Sequence, residues 1–170
     1  LQQIGRLDDA ERTYQLNLAI RQQVGDRKGE GVVLSNLGSV AQRRGQLEQA
    51  ESYYQQSLAI DREVQDRQGE GVVLYSLALI AEARGDLNRA EALHRESLAI
   101  GIAVQSGPDI ANSWLVLGRF LIEHERNRDE GCQMLRDAIS LYHEMGLPGE
   151  QQARATARLL GCLDGADAAG

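Results

Sequence analysis

Apolar residues recur along this chain at intervals of three and four, in short blocks parted by glycine. Leu34, Leu37 and Ala41 form one block and Ala50, Tyr54 and Leu58 the next, with Gly45 between them. Three-and-four spacing sets each block on one face of a helix. Gly45 stands where a helix end needs a residue tolerant of left-handed dihedrals. The pattern then returns. Residues 31–60 read GVVLSNLGSVAQRRGQLEQAESYYQQSLAI and residues 71–100 read GVVLYSLALIAEARGDLNRAEALHRESLAI. Gly31/Gly71, Leu34/Leu74, Leu37/Leu77, Ala41/Ala81, Gly45/Gly85, Ala50/Ala90 and Leu58/Leu98 coincide without a gap. The phase runs back through Gly5, Leu7, Ala10 and Leu18, and forward through Trp114, Leu117, Gly118 and Leu121. After one inserted residue it resumes at Gly131, Leu135 and Ile139.

Each unit of forty residues therefore predicts two antiparallel helices, and the chain predicts an all-α repeat protein. Helices are expected at 7–25, 30–44, 47–65, 70–84, 87–105, 109–125, 128–145 and 149–162, with residues 1–4 the stump of a preceding helix. Gly29, Gly69 and Gly149 are expected to close the turns between units, as Gly5, Gly45 and Gly85 close those within them. The organisation read from this is a single array. It has a partial repeat at 1–30, repeats at 31–70 and 71–110, a divergent repeat at 111–150, a capping helix at 151–163 and a tail at 164–170. One unit cannot bury its apolar face alone, so stability is expected to come from neighbouring units.

Leu37-Gly38, Gly45, Ala50, Tyr54 and Leu58 resemble the tetratricopeptide repeat family, with its aliphatic-Gly pair in the first helix and small and aromatic residues in the second. The unit is longer than the usual ~34 residues, and this long form is similar to the arrays of kinesin light chains. The GDRxGEG linkers are similar to those of arrays attached to bacterial regulatory ATPases and transcription activators. HEAT repeats share the period but not these landmarks, and a WD40 blade needs strands that are absent from the pattern. The resemblance implies a right-handed superhelical solenoid of antiparallel helix pairs, with the first helix of each pair lining a concave groove.

Counted from the core leucines, that lining is expected to include Ser35, Asn36, Ser39 and Arg43; Tyr75, Leu79 and Glu82; and Asn112, Leu115, Arg119 and Ile122. Tyr75, Leu79, Leu115 and Ile122 would be apolar on an exposed face, a mark of contact sites. Arg43 and Arg119 would anchor a carboxylate. The two-carboxylate clamp of chaperone-binding members uses Lys, Asn and Arg, whereas the corresponding positions hold Ser35, Ser39, Ser76, Asn112 and Val116. Of the asparagine ladder of kinesin-light-chain grooves only Asn36 is present.

Composition narrows the function. The 170 residues carry 25 acidic and 18 basic side chains, a net charge of −7, which disfavours nucleic acid and anionic membrane surfaces as partners. A chain beginning at Leu1 is expected of an excised piece of a longer protein. No apolar run approaches the roughly 20 residues of a membrane span, and no signal core is present. Cys132 and Cys162 are read as free thiols of a reducing, cytoplasmic setting. GDRKGEG at 25–31 lacks the GK[ST] ending of a phosphate loop and reads as an inter-repeat turn. His94 replaces Tyr54 one unit on and reads as structural, and Trp114 replaces Leu34 and Leu74 and reads as core. His124 between Glu123 and Glu125 reads as a solvated helix end. No metal, cofactor or catalytic set is expected.

The function expected is non-catalytic binding of a peptide segment or partner domain, in a scaffold or signalling role. Other domains of the parent chain are possible partners. The alternative is an effector-sensing regulatory module of a larger ATPase or transcription regulator. Self-association is expected through the face of Leu7, Tyr14 and Leu18.

Overall fold

An aspartate decides where the first helix of a repeat begins. The Asp26 carboxylate accepts the Gly29 N–H at 2.8 Å and that of Asp66 accepts the Gly69 N–H at 3.0 Å. Each satisfies a backbone donor that a helix start leaves unpaired. The caps bring these helices in three residues earlier than the glycine pattern suggested. A computed structural model describes residues 2–163, with side chains from Arg6 onward. Its helices are α1 (Gln2–Val24), α2 (Arg27–Arg43), α3 (Leu47–Glu63), α4 (Arg67–Ala83), α5 (Leu87–Ala103), α6 (Gly107–Glu123), α7 (Arg128–Glu144) and α8 (Glu150–Leu159). Among the described residues there is no strand. The expected tail at 164–170 lies outside them.

Two expectations about the turns are corrected. Residues 1–4 are not a separate stump, because α1 runs unbroken from Gln2 through Gly5; a helix-interior glycine costs about 1 kcal/mol and does not by itself end the helix. Gly45 and Gly85 do take positive φ, at 74° and 77°, but between repeats the left-handed residues are Gly25, Gln65, Gln105 and Gly146, and Gly149, at φ −79°, instead caps α8. Gly29 and Gly69 lie inside the first helical turn. There glycine makes room for a carboxylate: a Cβ at Gly29 would come within 2.3 Å of Asp26 Oδ2.

The chain divides into two compact units, Leu1–Asp86 and Leu87–Gly170. In the first, α2 packs between α1 and α3, and α4 packs on α3 and reaches α2. Leu37, Val40, Tyr54, Ile60, Leu74, Leu77 and Ile80 form the buried interior. The buried Ser57 hydroxyl donates to the Gly31 carbonyl at 2.8 Å, which ties α3 to α2. Charged pairs brace the rim. Arg44 reaches back to Asp8 and Glu11, and Arg84 to Glu48 and Glu51. Arg27 holds Glu63 with two hydrogen bonds and Glu30 at 2.5 Å.

In the second unit α6 packs between α5 and α7, and α8 closes on α7. Phe120, Leu117, Leu121 and Leu135 are fully buried, and Trp114 packs partly buried against the cluster around Leu135 and Tyr142. Arg126 takes the role of Arg84, bonding Glu91 and Asn88. Cys132 and Cys162 are joined in a disulfide, which corrects the reading of free thiols. The residues after α8 fold back on α7, where Arg128 donates to the Leu160 carbonyl at 2.6 Å and Arg136 to the Cys162 carbonyl at 3.2 Å. That return brings together two sulfurs thirty residues apart, and with it the thiol argument for a reducing compartment falls.

Candidate functional site

In the first unit the helical phase that buries Leu34, Leu37 and Ala41 leaves Ser35, Asn36, Ser39 and Arg43 of α2 outside the core. Ser35, Asn36 and Ser39 are half-buried and Arg43 is exposed. On α4, Tyr75, Leu79 and Glu82 are likewise half-buried. Tyr54 enters this face from α3: its ring is buried and its hydroxyl donates to Gln42 Oε1 at 3.1 Å. Burial pushes the phenol upward, while Ser76, Ser39 and Arg43 beside it pull the other way. The sequence showed Tyr54 as a packing ring; that it lies beside Ser39 and Arg43 of the expected lining had no sequence signal.

Cavities open on this face among the described residues. One, of about 720 Å³, lies between α1 and α2, with Arg6 and Arg43 and the polar Tyr14, Asn36 and Ser39 in its wall. The second, of about 420 Å³, is bounded by α2, α3 and α4. Asn36 lines both. The wall of the second includes Ser35, Ser57, Asp61 and Asp66, with Val32, Val72 and Val73 as its apolar side. Lys28, also on the wall, reaches Asp66 at 2.7 Å. Asp61 is 4% exposed and its Oδ2 has no hydrogen-bond partner. Its carboxyl is pushed up to about 6, first by burial and then by Asp66 and Glu70 nearby, against a smaller pull from Ser57 and Lys28.

The second unit offers less. Asn112 is exposed, and Arg119 is half-buried and paired with Glu123 at 2.8 Å. Leu115 and Ile122, expected on an open face, are 7% and 8% exposed and belong to the unit's core. The cause is a close helix crossing. A Cβ at Gly131 would come within 2.7 Å of both the Gly118 carbonyl and Ile122 Cγ1. With two glycines at the crossing, α7 comes near enough to α6 to cover Ile122.

The other candidates resolve into structure. The GDRKGEG and QDRQGEG linkers cap α2 and α4, and their Glu30 and Glu70 are buried against Arg27 and Arg67 at 2.5 Å. His94 is buried with its ring 5.5 Å from that of Phe120. His124 caps the end of α6, and Glu125 takes the left-handed turn after it. The Leu7, Tyr14 and Leu18 face of α1 is half-buried, and Leu16, Ile20 and Val24 stand open on the same helix. Among the described residues no group of three or more His, Cys, Asp and Glu is placed to hold a metal. None of their helices is long and apolar enough to cross a membrane.

Among solved structures, BtubC (BKLC) from P. vanneervenii matches with a TM-score of 0.73 and 21% identity, over 84% of this chain and 59% of its own. The chain thus spans about three fifths of that protein. A Podosopora anserina kinesin-light-chain-like protein of nearly identical TPR-like repeats matches with a TM-score of 0.72 and 17% identity, over 94% of this chain and 79% of its own. A single-substitution variant of that protein matches equally, with a TM-score of 0.73. At these identities the likeness establishes the all-α fold of helix pairs. No curated protein sequence matches the chain. The sequence itself matches the tetratricopeptide repeat over residues 1–63 and 29–103, more than half of its length. With the glycine and alanine landmarks at the helix crossings, this places the chain in the tetratricopeptide repeat family.

Proposed function

We propose that the first unit binds an extended peptide segment of a partner protein along the face of α1, α2 and α4. Tetratricopeptide repeats mediate protein–protein interaction, and their fold is generally non-catalytic. The observation that carries the proposal is the cavity of about 720 Å³ in which Arg6 and Arg43 frame Asn36, Ser39 and Tyr14. Guanidinium groups beside amide and hydroxyl groups suit a carboxylate and a peptide backbone. Tyr75 and Leu79, half-buried on α4, supply apolar contact, with Ser35 and Glu82 as polar neighbours. In the second unit the same reading rests on Asn112 and Arg119 alone.

The effector-sensing alternative drew on the linkers, whose residues cap helices. No feature of either unit favours it over peptide binding.

Selection from a displayed random-peptide library tests the reading. Wild-type protein is expected to enrich peptides bearing a carboxylate, and Arg43→Ala with Tyr75→Ala to lose them while staying folded. Equal enrichment by the variant would move the binding face elsewhere.

A further inference from the structure

A buried carboxylate oxygen is ordinarily paired, because leaving it bare in a low-dielectric site is costly. Asp61 Oδ2 is bare, and Asp61 is one of the residues lining the cavity of about 420 Å³ between α2, α3 and α4. That volume falls within the range of about 300–1,000 Å³ usual for small-ligand sites. Glycine on both flanking helices makes room for the group. A Cβ at Gly31 would come within 3.0 Å of Asp61 Oδ1, and one at Gly69 within 3.1 Å of Asp61 Cγ.

The repeat shows that the fold does not demand this residue. Forty positions earlier stands Arg21, which pairs with the capping Asp26 at 2.6 Å, and forty later stands Gly101, with no side chain at all. In the repeat that contains α3 an aspartate stands in place of the arginine, near the capping Asp66, so two carboxylates line one cavity where the preceding repeat has an ion pair. Lys28 is engaged by Asp66. Glu70, which also bears on Asp61, is held by Arg62 and Arg67. An unpartnered buried carboxylate suits a cation, and the remaining walls describe its carrier. Ser35 and Asn36 offer side-chain oxygens to an N–H donor, and Val32, Val72 and Val73 suit a methylene stem.

We infer that this cavity binds an alkylammonium group, with Asp61 as its counter-ion. The group is either a free amine or the lysine side chain of a partner segment. The site shares Ser35 and Asn36 with the peptide-binding face, but it stands on Asp61 and does not rest on that reading.

The test is titration of the full chain at pH 7.5 with n-butylammonium, with neutral n-butanol as control, followed by amide NMR. Shifts are expected at Ser35, Asn36 and Val72 with butylammonium and not with butanol. Asp61→Asn is expected to weaken binding at least tenfold while the chain stays folded. Independently of any variant, saturating butylammonium is expected to lower the midpoint at which the Asp61 carboxyl titrates. A blocked tripeptide with a central lysine separates the sources. Tighter binding than butylammonium assigns the site to a partner's lysine, and weaker binding to a free amine. Absence of butylammonium shifts, equal binding by Asp61→Asn, or an unmoved Asp61 midpoint would overturn the inference.

Discussion

The Tyr54 ring occupies the space that a side chain at Gly38 would need: a Cβ there would lie 2.7 Å from Tyr54 Cε1. The ring is buried and its hydroxyl is tied to Gln42, so it has little room to yield. Gly38→Ala is expected to cost about 1–3 kcal/mol, the usual range for overpacking. In the second unit a Cβ at Gly118 would meet the Gly131 carbonyl at 2.8 Å, and a backbone atom has no rotamer to change. Gly118→Ala should therefore be the more damaging of the two, as urea denaturation of both variants would show.

The disulfide closes a loop of thirty residues. In the chain-entropy account such a link stabilises by about 3–4 kcal/mol. Cys162→Ser, or reduction of the wild type, is expected to lower the melting temperature of the second unit. Thiol titration of the unfolded, unreduced protein should find no free cysteine.

Asp61 gives the chain an unusual response to pH. Its carboxyl titrates near 6 in the folded state against 3.8 ordinarily, so between those values the folded chain holds the proton more tightly than the unfolded one. Stability from this group is therefore fully present below about pH 4 and is lost as pH rises through about 6. Asp66, hydrogen-bonded by Lys28 and by the Gly69 N–H, is held low and contributes in the opposite sense. Comparing wild type with Asp61→Asn isolates the effect. The Asn variant should gain stability relative to wild type as pH climbs from 4 to 7, by up to roughly 3 kcal/mol, at about 1.4 kcal/mol per pKa unit. A flat difference across that range would show that Asp61 is not desolvated.

Caps and rim charges should separate by their response to salt. Asp26→Ala removes both the hydrogen bond to the Gly29 N–H and the ion pair with Arg21; the ~1 kcal/mol typical of a lost cap should persist in 1 M salt, while the ion-pair share of the cost should fade between 0.05 M and 1 M. Arg84→Gln removes contacts to Glu48 and Glu51 at the surface; its cost is expected below about 1 kcal/mol and to fade in high salt.

The helices and their inward faces were legible because spacing alone decides them: Leu37, Leu74 and Leu77 recur where a helix must bury them, and all are buried. Gly45 and Gly85 marked their turns because no side chain disguised the dihedral. The turns between repeats were not legible, because Gln65 and Gln105 carry ordinary side chains that give no sign of a left-handed dihedral. Of the site, the polar lining of α2 could be reached by counting from the core. Leu115 and Ile122 could not be placed so, since their burial depends on how closely α7 approaches α6 at Gly118 and Gly131, a distance between helices and not a period within one. Asp61 was not legible for a similar reason. Its sequence neighbours are unremarkable, and only the third dimension sets it against Asp66 with no arginine between them.

The cystine bears on how the chain would carry a mechanical load. Tension applied beyond Cys162 would pass through sulfur to Cys132 on α7, by way of neither α8 nor the turn that precedes it. The thirty-residue segment between them, about 100 Å when fully extended at ~3.5 Å per residue, stays out of the stretched length. In a reducing solution the same pull would peel α8 from α7 first, past the Arg128 and Arg136 contacts, and that length would reappear.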